Sequence, residues 1–170
     1  MSAGDETMDR PAHPRCHGVM TRTMLLIATL SSGLVAGLFA AFSYAVMPGL
    51  RRADDAAFVS AMRGINHAIL NPVFGVLFAG ALIASGAAAF LARDLPDVRV
   101  WVLVGAGFYV LTLVITMAVN VPLNDALRDG SGSAAHLRAQ FENTWTAWNV
   151  VRAVTSCCAF ASLAVAFGRL

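Results

Sequence analysis

Lysine is absent from this 170-residue chain, and all 12 basic side chains are arginines. Only 13% of the residues are charged, against roughly 25% in an ordinary globular domain, while 58% are hydrophobic. The net charge of +2 is small, and no basic patch is concentrated anywhere, so a nucleic-acid partner is not expected. These shortages exclude an ordinary soluble domain and indicate a chain with membrane lipid as its partner.

The sequence also lacks the motifs of several enzyme classes. It contains no Gly-rich phosphate loop, no flavin or haem motif and no Ser/His/Asp or Cys/His arrangement. Cys157 and Cys158 are adjacent and would point about 100° apart on a helix, so a disulfide between them is not expected. His67 and His136 have no histidine or carboxylate at ligand spacing. We therefore expect no metal site and no cofactor.

Four apolar runs are long enough to cross a bilayer, which takes about 20 residues of helix. They predict an all-α fold, a membrane four-helix bundle that forms one domain over residues 22–170. The polar residues 1–21 in front of it are predicted to be a disordered tail. The predicted spans cover residues 23–47, 72–91, 98–119 and 147–167.

The connection between the first two spans has helical periodicity, with apolar and polar side chains on opposite faces. We predict a short amphipathic helix over about residues 54–68, either at the membrane surface or over the mouth of the bundle. Asn71 followed by Pro72 is typical of a helix start, with the asparagine as N-cap. Residues 93–97 form a short turn, so the second and third spans are expected to be antiparallel neighbours.

Prolines are expected to set two of the helix ends. Pro48 and Gly49 are predicted to end the first span, and Pro122 to disrupt the helix after the third. Residues 125–133 then read as a loop, and residues 134–144 as a helix that extends the fourth span out of the membrane.

One polar stripe runs into the last apolar segment, and its members recur every three or four residues, so they share one helix face. A polar stripe in hydrocarbon is costly and must face protein or a water-filled cavity. The stripe consists of Glu142, Trp145, Asn149, Arg152 and Ser156.

Two further asparagines, Asn120 and Asn124, lie where the third span ends, at the same membrane level as the stripe. A polar cluster at one end of the bundle predicts a pocket with apolar and aromatic walls. Other interpretations stay open. Arg152 could extend to the lipid headgroups, Trp145 could belong to an aromatic belt, and the asparagines could join helices to one another.

Four phrases carry a resemblance to a known family. Residues 47–50 read MPGL, 65–72 read INHAILNP, 120–124 read NVPLN and 145–152 read WTAWNVVR. In this order they resemble the signature segments of the anthrone oxygenase-like family of small four-span membrane proteins, over about residues 26–167.

The resemblance implies O₂-dependent oxidation of an anthrone, a lipophilic aromatic small molecule, to an anthraquinone. The lack of a flavin or haem motif fits a reaction without a cofactor. A base would remove a proton and donors would stabilise the oxyanion that forms. In that reaction we expect His67 as the base and Arg152 as the oxyanion donor. The expected substrate-binding residues are Asn66, Asn120, Asn124, Trp145 and Asn149.

Two other functions stay open beside the enzyme: a non-enzymatic accessory or binding protein of the membrane, and a small-molecule transporter. Transport is disfavoured because paired intramembrane charges and an inverted repeat are not visible. We expect a multi-pass protein of the cell membrane. Arginines are slightly more numerous on the side of the termini, which favours cytoplasmic termini. The oligomeric state is not predicted.

Overall fold

The computed structural model describes residues 13–170, with side chains from Gly18 onward. No strand occurs in this part of the chain, which confirms the all-α prediction. Residues 1–12 of the predicted tail lie outside the described residues. The elements in chain order are α1 (His13–Ala41), a π-helical turn (Phe42–Val46), α2 (Met47–Leu50), α3 (Asp55–Ile69), α4 (Pro72–Leu91), α5 (Pro96–Ile115), a second π-helical turn (Thr116–Asn120), α6 (Val121–Asp129) and α7 (Ala134–Gly168).

Four helical stretches are long and apolar enough to cross a bilayer, as the sequence predicted: Gly18–Leu50, Pro72–Leu91, Pro96–Asp129 and Ala134–Gly168. Large aliphatic side chains point outward along all four of them. Such an exterior is costly in water and favourable in hydrocarbon. The chain is therefore an integral membrane protein built as a four-helix bundle. The side of the membrane that holds the termini stays a prediction.

Neither proline ends its membrane helix as predicted, although the regular α-helix is interrupted just before each one. The first helix continues through Pro48 to Leu50, and the third continues through Pro122 to Asp129. In each case a π-helical turn ends two residues before the proline. A π-helical turn interrupts the regular i→i−4 hydrogen bonding, so the missing N–H of a proline just after it is tolerated. The predicted loop over residues 125–133 is thus helical as far as Asp129.

The helical part of the chain also begins earlier than expected. Helix α1 starts at His13, so residues 13–21, which were predicted as part of the disordered tail, are helical. Val19 and Met20 already belong to the apolar stretch, and the hydroxyl of Thr23 donates to the carbonyl of Val19. Because helix propagation adds one hydrogen bond per residue, a long span readily extends past the membrane boundary.

Helices α1, α4, α5 and α7 surround the bundle axis, each packed against the next, and α7 closes the ring against α1. Small residues bring α5 and α7 close together. A Cβ added at Gly105 would lie 2.9 Å from Cγ of Leu163 and 3.1 Å from the carbonyl oxygen of Ala159. This close approach matters for the site because α7 carries Trp145, Asn149 and Arg152.

Helix α3 lies over one end of the bundle, which decides between its two predicted positions. Phe58 and Met62 are fully buried against α6 and α7, while Ser60 and His67 are exposed. Asp54 caps the helix by accepting a hydrogen bond from the backbone N–H of Ala57 at 2.8 Å. This end, with α2, α3 and α6, is the polar end that the sequence indicated.

The next span is positioned at the same end by the predicted cap. Asn71 Oδ1 accepts a hydrogen bond from the backbone N–H of Phe74 at 3.0 Å, and Pro72 is the first residue of α4. The cap fixes where α4 begins, and so it sets the height of Phe74 in the bundle.

Candidate functional site

A cavity of about 90 Å³ lies between the helices at the polar end of the bundle. We call it the aromatic chamber. Its walls come from α1, α3, α4, α7 and the second π-helical turn with α6, and most of its lining is apolar. The lining residues are Leu38, Phe39, Phe42, Ile65, Asn66, Ile69, Leu70, Phe74, Thr116, Val121, Asn124, Trp145, Asn149 and Arg152.

The guanidinium of Arg152 is the most unusual group in this chamber, because only 5% of the residue is exposed. Its Nη2 donates to Oδ1 of Asn149 at 2.8 Å, and its Nη1 makes a long contact of 3.5 Å to Oγ1 of Thr116. The Nε atom is buried and has no hydrogen-bond partner. Arg152 therefore faces the inside of the bundle with one unpaired donor, and it does not extend to the headgroups.

Two aromatic rings flank the same guanidinium. Its central carbon lies 4.3 Å from the ring centroid of Phe39 and 5.4 Å from that of Trp145. A cation over the face of an aromatic ring is attracted by the ring quadrupole, more strongly when water is excluded. The two rings hold the guanidinium in place, but they do not neutralise its charge.

Asn149 is fully buried and joins α7 to the first membrane helix. Its Nδ2 donates to the carbonyl oxygen of Phe39 at 3.0 Å and to Oγ of Ser43 at 2.9 Å, both on the first membrane helix. Its Oδ1 accepts the hydrogen bond from Arg152. Through Thr116 the same network reaches the third spanning stretch. Asn149 therefore positions Arg152 and also lines the chamber.

Trp145 is held from two sides. Its indole N–H donates to Oδ1 of Asn124 at 2.7 Å, and its carbonyl oxygen accepts a hydrogen bond from Nδ2 of Asn120 at 3.4 Å. Its ring stacks on Phe141, with centroids 5.7 Å apart. Trp145 is buried, so the aromatic-belt interpretation does not describe it. Asn120 is fully buried beside the chamber, although it is not one of the lining residues.

A second cavity of about 200 Å³ adjoins the first, and we call it the polar chamber. His67 lines the polar chamber and not the aromatic one. The amide of Asn66 borders both, and its buried Nδ2 has no hydrogen-bond partner. The walls that the two chambers share are Asn66, Ile69, Leu70, Val121 and Asn124.

The cations of the polar chamber already have partners. Arg63 donates to the carbonyl oxygens of Leu127 and Gly130, at 2.9 and 3.0 Å, which caps the C-terminal end of α6. Arg128 bonds to Asp125 at 2.7 Å. The Arg63 contacts hold α3 to α6, whereas the Arg128–Asp125 pair lies within α6. All three side chains line the polar chamber.

The predicted polar stripe does face protein along its length, since Trp145, Asn149, Arg152 and Ser156 are all buried and Glu142 is half-buried. Glu142 does not point toward Arg152. Its two oxygens accept from Arg51 at 2.9 Å and Arg138 at 2.6 Å, above the chambers. The salt bridge between Arg51 and Glu142 therefore links the loop after α2 to α7.

Of the seven predicted site residues, five line the aromatic chamber: Asn66, Asn124, Trp145, Asn149 and Arg152. Asn120 contacts the backbone of Trp145 and does not line the chamber. His67 lines the neighbouring polar chamber. The sequence interpretation missed Phe39, Phe42, Ser43 and Thr116. The helical spacing of Thr116 with Asn120 was visible, but nothing in an apolar run distinguishes Phe39 from the phenylalanines that face lipid. Among residues 18–170, no three His, Cys, Asp or Glu side chains come together as ligands for a metal.

The family model of the anthrone oxygenases matches residues 62–162. The match begins in α3 and ends near the C-terminal end of α7, so it contains all seven predicted site residues. No curated protein and no solved structure matches the chain.

Proposed function

This chain belongs to the anthrone oxygenase family, and we propose that it uses O₂ to oxidise a lipophilic aromatic of the anthrone type in the aromatic chamber. The substrate class comes from the family description and from the walls of the chamber. One water needs about 10–15 Å³ of cavity of this kind, so about 90 Å³ holds roughly six to nine waters. At the liquid share of about 30 Å³ per water, this volume is on the order of 200 Å³, the size of a small fused-ring aromatic.

The observation that carries the proposal is Arg152, a buried guanidinium with an unpaired Nε in a chamber lined by aromatic rings. Buried donors without a partner are few in native structures, and each calls for an explanation. An oxygen atom of a bound ligand would accept from Arg152. The unpaired Nδ2 of Asn66, on the opposite helix of the same chamber, offers a second donor.

The reaction balances with O₂ as the oxidant. The methylene carbon of an anthrone loses a proton, which leaves an enolate with negative charge on the ring oxygen. O₂ then forms a bond to that carbon, and loss of water yields the new carbonyl. One atom of O₂ becomes the carbonyl oxygen, the other leaves in water, and the two methylene hydrogens leave in the same water.

The residues of the chamber would act at the first step. Arg152 would donate to the ring oxygen as negative charge develops there. Asn149 would hold Arg152 in position. Asn124 would hold the indole of Trp145 where it can pack against the rings of the substrate. Except for Arg152, none of the residues that line the aromatic chamber titrates, so the proton would pass into the polar chamber, where His67 is the proposed acceptor.

The test is oxygen uptake by the purified protein in detergent with a panel of anthrones under ¹⁸O₂. We expect uptake above the rate in empty micelles, with one ¹⁸O atom in each quinone that forms. The Arg152→Gln variant should lose most of this rate. Arg169→Gln, which removes an exposed arginine at the other end of the bundle, should keep it. If uptake never exceeds that in empty micelles although the anthrones bind, the chain is a binding protein and the oxidation proposal fails.

A further inference from the structure

Arg152 presents a problem of charge balance inside the membrane. A guanidinium stays protonated in proteins, so this side chain brings a full positive charge into the bundle. Charged side chains within spanning segments are costly and pair with opposite charges or with backbone carbonyls. The contacts of Arg152 are instead neutral: an amide oxygen, a distant hydroxyl and two aromatic rings.

None of the residues that line the aromatic chamber carries a carboxylate. The acids nearest to this end of the bundle are engaged elsewhere. Glu142 bridges Arg51 and Arg138, and Asp125, in the wall of the polar chamber, is paired with Arg128. The protein therefore supplies the cation of an ion pair in this chamber and does not supply the anion.

We propose that the aromatic chamber binds planar aromatics that bear an acidic hydroxyl, and that it binds them as phenolate or enolate anions with Arg152 as the counter-ion. The choice of a fused-ring ligand rests on the proposed function, whereas the preference for an anion follows from the charge balance. An anion at Nε would give an acceptor to the guanidinium nitrogen that has none, since Nη2 already donates to Asn149 and Nη1 to Thr116.

This inference narrows the substrate class. Hydroxylated anthrones should bind more tightly than the unsubstituted ring system, because the hydroxyl gives them a second acidic group besides the methylene. The hydroxylated quinone that results from oxidation is also acidic, so the product should compete with the substrate for the chamber.

The experiment uses 2-hydroxyanthraquinone, a dye whose absorption changes when its hydroxyl ionises and which has no methylene to oxidise. The dye is titrated with acid and base when bound to the purified protein and in micelles without protein. An opposite charge within about 4–6 Å lowers the pKa of an acid by about 1–3 units, so we expect a shift of this size on binding. The methyl ether of the same dye, which cannot ionise, should bind about tenfold more weakly or worse.

Three variants locate the source of the shift. Arg152→Gln should abolish it, Arg152→Lys should keep much of it because the charge remains, and Arg169→Gln should leave it as in the wild type. If Arg152→Gln does not fold, the wild-type titration decides by itself. A bound dye whose pKa is unchanged or raised, or a methyl ether that binds as tightly as the hydroxyl compound, overturns the inference.

The same material separates this inference from the oxidation. If the pKa of the dye shifts but no oxygen is taken up, the chamber binds anions and the proposed reaction is wrong. If oxygen is taken up but the pKa of the dye does not shift, the proposed reaction stands and the preference for an anion is wrong.

Discussion

Asn149 Oδ1 accepts a hydrogen bond of 2.8 Å from Nη2 of Arg152, which lies one turn further along the same face of α7. The other end of the Asn149 amide donates to Phe39 and Ser43 on the first membrane helix. One amide therefore fixes the position of the buried guanidinium relative to a neighbouring helix. The predictions below follow from this arrangement and from the packing that supports it.

Asn149→Asp should supply the missing anion from within the protein. The new carboxylate would lie about where Oδ1 now accepts from Arg152, and an opposite charge at that distance would neutralise the guanidinium. We expect the affinity for 2-hydroxyanthraquinone to fall about tenfold or more. Asn143→Asp adds the same charge at an exposed site of α7 and serves as the control. An affinity for the dye that Asn149→Asp leaves unchanged would contradict the role of Arg152 as counter-ion.

Arg152→Gln should lower turnover of an anthrone by about 10²–10³-fold, the loss seen when one preorganised oxyanion donor is removed. Arg152→Lys should recover little of this rate, because a single ammonium cannot reach Asn149 and a ligand oxygen in the positions of the guanidinium fork. Both rates are measured per folded molecule, with melting curves alongside. Equal rates per folded molecule in all three proteins would mean that the polar cluster only joins helices.

His67→Gln should lower turnover and also remove its dependence on pH. If His67 accepts the substrate proton, the wild-type rate should fall as the pH is lowered, because a protonated histidine cannot act as a base. The variant should lose this acidic decline and be slow throughout. The matched control is His136→Gln, which changes an exposed histidine that lines neither chamber. An unaltered pH profile in His67→Gln would remove this residue from the proton path.

Two glycines of α5 offer a test of the bundle itself. Gly105→Ala should be about 1–3 kcal/mol less stable than Gly107→Ala, because its Cβ would meet Leu163 and the backbone of Ala159, and overpacking of this kind costs about that much. A Cβ at Gly107 meets nothing within 4 Å. Because both changes make the same gain in helix propensity, the difference between their unfolding free energies in detergent isolates the packing cost. Equal stabilities would mean that α5 and α7 are not in close contact at Gly105.

The four spans and the buried stripe of α7 could be predicted from the sequence for a simple reason. Hydrocarbon admits only long apolar helices, and a polar face on such a helix must turn inward. The cap at Asn71 was equally local, because an N-cap and the proline after it depend only on neighbouring residues. Each of these features depends on a stretch of sequence no longer than one helix.

The continuation of two helices through Pro48 and Pro122 was not predictable in this way. A proline alone favours a helix end, and only the π-helical turn before each one shows how the chain continues. The length of α6, and hence the wall that it forms beside both chambers, depends on this detail.

The assignment of residues to chambers was decided by the tertiary structure alone. From the sequence, His67 and Arg152 belonged to one polar cluster, because both lie at the same end of the bundle. The fold separates them, since α3 crosses the mouth and presents His67 to the polar chamber while Phe39 and Trp145 enclose Arg152. A one-dimensional pattern determines which side chains must be buried. Which partners they meet is set by how the four membrane helices pack with the shorter α2, α3 and α6, and among the described residues that packing brings no carboxylate to Arg152.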